Sequence, residues 1–179
     1  MPLIAGLFIG AALLSGAGAA QDCTELLQAQ DAKAVAACKA QFDEAENAPA
    51  TERMARIIAG DEYGVALLAV GHQPKQSLDP FNRAIALLPA STVKPDSLQW
   101  AVAYWHRATA YQQLGQWELA SADLHTAETT FTSAITASAG DAPREQHFRQ
   151  LRQRVRQQHA DVLEHAGKHR EAQKLLATQ

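Results

Sequence analysis

An all-α fold is predicted by three features of this 179-residue chain. Alanine and leucine dominate the composition, and runs of β-branched residues are nearly absent. Glycine and proline fall between segments whose apolar residues recur at helical spacing, the pattern of helices that bury one face.

The first element is a leader. Residues 3–14 form a short apolar run, and Ser15, Gly16, Ala17, Gly18, Ala19 and Ala20 follow with only small side chains. This reads as a secretory signal peptide over residues 1–20, cleaved after Ala20 to leave Gln21 at the mature N-terminus. The run is too short for a permanent bilayer span, so no stable membrane segment is expected after cleavage. No Lys or Arg precedes it, which leaves open a misplaced start or an uncleaved anchor. Gln21 and Asp22 stand where lipidation at Cys23 would want small or apolar residues. Removal of the leader leaves roughly 159 residues, enough for one compact domain or a short solenoid. The expected location is periplasmic or secreted, by bacterial-type export.

The second element is a hairpin over about 21–46. Leu26 and Leu27 imply a short helix, Gln30 a turn, and residues 31–38 the start of a second helix. The chain has two cysteines, Cys23 and Cys38, and an antiparallel pair joined midway brings their sulfurs together. A disulfide is expected. The spacing is not the CxxC of metal or redox sites.

A third segment, about 51–90, opens at Pro49 and Thr51 and carries Met54, Ile57, Ile58, Val65 and Leu68 at helical spacing. It continues to about Gly71, where His72, Gln73 and Pro74 end it. A partner helix is expected over about 79–88, with Phe81, Ala84, Ile85 and Leu88 as its seam. Pro89 and residues 91–96 then read as a loop.

The most regular segment is 98–134. Ala108 and Ala120 are small where two helices must approach closely. Tyr104, Tyr111, Trp117 and Leu124 are large where the seam must be filled. Gly115 occupies the turn, and Ala127 closes the second helix. Together these residues, numbered as a unit over 101–134, resemble one tetratricopeptide repeat (TPR), a helix–turn–helix of 34 residues. Arg107 departs from the family, which usually has Leu there, and Thr132 stands where Pro is common. Residues 59–63 carry a weaker form of the same signature. In the last segment, about 144–179, Ala160, Gly167, Ala172 and Leu176 match Ala108, Gly115, Ala120 and Leu124. Leu163 stands where Tyr111 did, and His169 where Trp117 did. The offset is 52 positions, from Gly115 to Gly167. The resemblance therefore implies a short, irregular TPR-like α-solenoid of antiparallel helix pairs, a single domain over 21–179.

The same resemblance implies a mode of action, since such repeats bind other proteins far more often than they catalyse. Positions equivalent to Trp105, Thr109 and Gln112 line the family's concave groove, as do those equivalent to Arg154, Gln157 and Asp161 in the last unit. An aromatic such as Trp105 suits an interface anchor; the alternative is that it packs against the helix over 79–88. The family's basic clamp for a peptide C-terminal carboxylate is missing, so recognition of chaperone tails is not implied.

Charge adds one further surface. Residues 21–140 carry eight Lys/Arg against fourteen Asp/Glu, whereas 141–179 carry eight against five. The overall formal charge of −3 excludes the dense basic face that nucleic-acid binding needs. Arg149, Arg152, Arg156 and His159 fall on one side of the last long helix. They read as a solvated face, or as a surface for an acidic partner or for the chain's own acidic N-terminal part.

Catalytic patterns are weak. The seven histidines form no HExxH, and no CxxCH is present. His165 and His169 are four apart, but Gly167 between them predicts a turn. Asp161 and Glu164 read as a solvated face, and Ser15 and Ser121 lack a nucleophile-elbow context. The expectation is an exported, non-catalytic adaptor without metal or cofactor, binding a protein partner. The alternative is a small-ligand-binding protein or enzyme with a site in the groove around Trp105 and Asp161.

Overall fold

The computed structural model describes residues 22–49, 52–88 and 97–177; the leader, its cleavage site and the 89–96 loop lie outside them. Among the described residues the protein is helical throughout, with eight α-helices and no strand. Each helix packs against its neighbours in the chain.

Helix α1 (Cys23–Gln28) starts where the Asp22 side chain accepts the Thr24 amide at 3.1 Å. It ends at Gln30, whose φ of 53° places it in the left-handed region. α2 (Ala34–Asn47) then folds back, and Cys23 and Cys38 are joined by a disulfide, with Cα atoms 4.8 Å apart. Both cysteines are fully buried. They share a core with Leu26, Leu27 and Ala34, and with Val65, Leu68 and Phe81 of the next pair. A hairpin this small buries little by itself, so the cross-link matters. Closing a loop of 15 residues removes chain entropy from the unfolded state worth about 3 kcal/mol. Replacing both cysteines with alanine is expected to lower unfolding free energy by about 2–4 kcal/mol in urea titrations, with helix content by circular dichroism largely kept.

α3 (Arg53–Val65) passes into a single π-helical turn, Ala66–Val70, and the pair stops at Gly71 and His72, the latter with φ 51°. α4 runs over Pro74–Ala86, five residues earlier than the periodicity places it. Pro74 is responsible for both events. It has no amide hydrogen to continue the preceding helix, yet its fixed φ suits the first turn of a new one. Pro143 likewise lies in the first turn of the helix Ala142–His165. α4 approaches α3 closely because α3 carries glycine at two positions of the contact. A Cβ on Gly60 would lie 3.1 Å from the Pro80 carbonyl oxygen. One on Gly64 would lie 2.7 Å from Cζ of Phe81, and nearer still to Cδ1 and Cε1.

α5 (Ser97–Gln113) and α6 (Trp117–Ala137) form the central pair. Ala108 and Ala120 are fully buried, as are Leu124, Ala127 and Phe131. α6 is rich in Thr and Ser, which are mediocre helix formers, but Thr126, Thr129, Thr130, Thr132, Ser133, Thr136 and Ser138 each donate to the carbonyl four residues back. Its apolar stripe therefore decides the conformation. α7 (Ala142–His165) adds Phe148, Leu151, Val155 and Val162 to the same core, and α8 (His169–Ala177) closes the array through Ala172.

The two unit turns are built alike. Gln116 N–H donates to the Tyr111 carbonyl at 2.9 Å and Lys168 N–H to Leu163 at 2.8 Å. Gly115 and Gly167 have φ of 70° and 75°, a conformation that favours glycine. Four of the five backbone bonds of the first turn reappear 52 positions later.

Candidate groove between α5 and α7

Trp105, Thr109 and Gln112 of α5 converge on one side chain that the periodicity does not single out, Gln158 of α7. The Trp105 indole N–H donates to Gln158 Oε1 at 2.6 Å. The Gln158 amide donates to Thr109 Oγ1 at 3.1 Å and to Gln112 Oε1 at 2.8 Å. Trp105 is half-buried. Its ring meets Phe131 edge-on, with centroids 6.5 Å apart, and lies beside His106. The expected alternative contact, against α4, is made instead by His106, whose ring centroid is 6.3 Å from that of Phe81.

A positional signal for Gln158 exists. It stands 52 residues after His106, and both reach back to the first helix of the preceding pair. His106 Nδ1 lies 3.0 Å from each carboxylate oxygen of Asp61 on α3, as Gln158 reaches α5. The repeat register locates this residue, whereas its type, a glutamine among many, does not.

The α7 residues expected in the groove divide. Arg154 and Gln157 are exposed, and with Gln150 and Gln153 they line an open depression. Asp161 is also exposed, and accepts from the Gln157 amide at 3.4 Å. The described lining of this depression is polar and comes from α7, whereas Trp105, Thr109, Gln112 and Gln158 already hydrogen-bond one another.

The basic stripe is mostly engaged within the fold. Arg149 donates to Glu145 on its own helix. Arg156 holds the Leu175 carbonyl of α8 at 2.9 Å and stands 3.6 Å from Glu128 of α6. His159 contacts Ser121 of α6. Of the two partners considered for this stripe, Arg156 and His159 face the chain's own acid. Arg152 is half-buried on the same side. His165 and His169 are separated by the turn at Gly167: His165 stacks on Trp117, with centroids 4.8 Å apart, and His169 pairs with Glu164.

No family model, curated protein or solved structure matches this chain.

Beside the His106–Asp61 pair, α3 offers a second carboxyl. Glu62 accepts from the Thr24 hydroxyl of α1 at 2.9 Å. Burial, reinforced by Asp61 and Asp22 and opposed by the Thr24 hydrogen bond, pushes its pKa up from 4.5 to about 7. The folded state holds this proton more tightly than the unfolded state does. The associated stability is full below pH 4.5 and is lost as pH rises through 7. Unfolding free energy is expected to fall by about 3 kcal/mol across that window. Glu62→Gln keeps an acceptor for Thr24 and removes the titration, so its thermal midpoint should vary less between pH 5 and pH 8 than that of the unaltered protein. An equal dependence in both would show that Glu62 is not the titrating group.

Proposed function

We propose that this chain is an exported adaptor of TPR-like helix pairs that binds another protein across the α5–α7 groove, in a periplasmic or extracellular compartment. The observation that carries the reading is Gln158. It draws Trp105, Thr109 and Gln112 into one surface with α7, in the same register in which His106 engages α3. A stack of first helices held together this way presents a continuous face, and the exposed Arg154, Gln157 and Asp161 form its contact rim. The groove side chains are amides, a hydroxyl, an indole, a guanidinium and one carboxylate, a set suited to peptide backbone and polar side chains. The buried Cys23–Cys38 disulfide is compatible with an oxidising compartment. Among the described residues no helix is long and apolar enough to cross a membrane.

The test is affinity capture from envelope extract with the unaltered protein, Arg154→Glu/Gln157→Ala, and Trp105→Ala. Loss of an interface aromatic costs about 2 kcal/mol, close to thirtyfold in affinity. Both variants are expected to lose a captured protein by at least about that factor, with the rim variant unchanged in circular dichroism. If the rim variant retains the protein fully, the interface lies elsewhere. A small molecule retained in native mass spectrometry, in place of a protein, would favour a ligand-binding or enzymatic role for the same groove.

A further inference from the structure

The α6–α7 interface holds a second polar line, separate from the groove. Ser121, His125 and Glu128 recur on α6 at spacings of four and three, which places them on one helical face. His159 of α7 lies against that face. Ser121 Oγ is 2.9 Å from His159 Nε2. On the other side of the ring, Nδ1 is 3.7 Å from Glu128 Oε2. Among the described residues Nδ1 has no hydrogen-bond partner, although His159 is only 6% exposed. A bond made for packing alone leaves that buried nitrogen unexplained.

The electrostatics set its tautomer. The facing His159 imidazole, opposed by burial and reinforced by Arg156 and Arg152, holds the Glu128 carboxyl below its usual range. An ionised carboxylate on the Nδ1 side favours the tautomer with its proton on Nδ1, in which the Nε2 lone pair accepts the Ser121 hydroxyl. His125 is exposed and edge-on to His159, with centroids 6.5 Å apart. Nucleophile, base and orienting acid thus stand in the order that activates a serine.

We propose that Ser121 is a reactive nucleophile, with His159 as its general base and Glu128 as the positioning residue, and that it accepts the acyl group of a small activated ester. Ser121 Oγ bonds to the carbonyl carbon while its proton passes to Nε2. The bond to the leaving oxygen then breaks, the electron pair goes with that oxygen, and the imidazolium returns the proton to it as the alcohol departs. Water follows the same route to release the carboxylic acid and restore the hydroxyl. Ser121 is half-buried, which restricts the electrophile to a small one.

The experiment uses the mature full chain with a fluorophosphonate probe, the labelled residue being read by peptide mass spectrometry, alongside hydrolysis of p-nitrophenyl acetate. Ser121 is expected to carry the label, at a rate well above that of the other hydroxyls among the described residues. General-base assistance is worth a factor of about 10²–10⁴, so His159→Gln should slow labelling at least about a hundredfold, and Glu128→Gln about tenfold. Ser133, exposed on the same helix with its hydroxyl on the Thr129 carbonyl, is the internal control. Lys39→Ala, at an exposed position on α2, should leave the label in place. Labelling of Ser121 no faster than Ser133, or unaffected by His159→Gln, overturns the proposal. Should His159→Gln fail to fold, equal labelling rates in the unaltered protein and in Glu128→Gln overturn it as well.

Discussion

Arg107→Leu is expected to destabilise the protein by about 3–5 kcal/mol, because it removes one partner of a buried ion pair and leaves the other uncompensated. Leucine is also the residue common at this position in the repeat family that the segment resembles. Arg107 Nε and Nη2 donate to the two carboxylate oxygens of Asp123, each at 2.7 Å, and Nη1 donates to Asn82 Oδ1 of α4 at 2.7 Å. The guanidinium lies over Tyr104 and Tyr111, 5.4 and 5.5 Å from their centroids. One side chain therefore links α4, α5 and α6. The Asp123 side chain is 7% exposed, so without Arg107 its charge is stranded or must be neutralised at a cost. Urea unfolding of Arg107→Leu, Asp123→Leu and the double variant checks this. The double variant should be much closer to the unaltered protein than the sum of the two single losses. Additive losses would show that the pair is not coupled.

Gly64→Ala is the second large effect. In a helix interior alanine is favoured over glycine by about 1 kcal/mol, so propensity alone predicts stabilisation. Packing reverses the sign. The added Cβ would enter the Phe81 ring, which is fully buried and would have to shift. Overpacking of this kind costs about 1–3 kcal/mol and occasionally more. After the propensity gain, a net loss of up to about 2 kcal/mol is expected in thermal or urea melts. Gly60→Ala, whose Cβ would meet neighbours at 3.1 and 3.2 Å, should lose less. Phe81→Leu in the Gly64→Ala background should recover part of the loss, because the contact is shared. A neutral Gly64→Ala would mean that α3 and α4 separate readily at this point.

Much of this structure is legible from residue type and spacing. Gly115 and Gly167 mark turns because few other residues tolerate positive φ, and Ala108 and Ala120 are fully buried in the α5–α6 core. Cys23 and Cys38 meet because a turn at Gln30 lies midway between them. Proline was harder to read. Pro74 ends one helix and begins the next, and local pattern shows the first effect more plainly than the second.

Side-chain partnerships across helices were less legible. Arg107 stood out in the sequence as a departure from a family pattern, but nothing local shows that Asp123, sixteen residues on, would face it. Glutamine carries no signature of its own, and only the tertiary contact of α7 with α5 makes Gln158 the common partner of Trp105, Thr109 and Gln112. The basic stripe on α7 was visible as a stripe, whereas its inward engagement with Glu128 and the Leu175 carbonyl depends on how α6 and α8 lie against it. The sequence alone determined the helical class, the turns, the close-approach positions and the disulfide, since each follows from backbone geometry within one hairpin. Tertiary structure alone decided which polar side chains are buried and with whom, since those pairings depend on the rotation of each helix against neighbours distant in the chain.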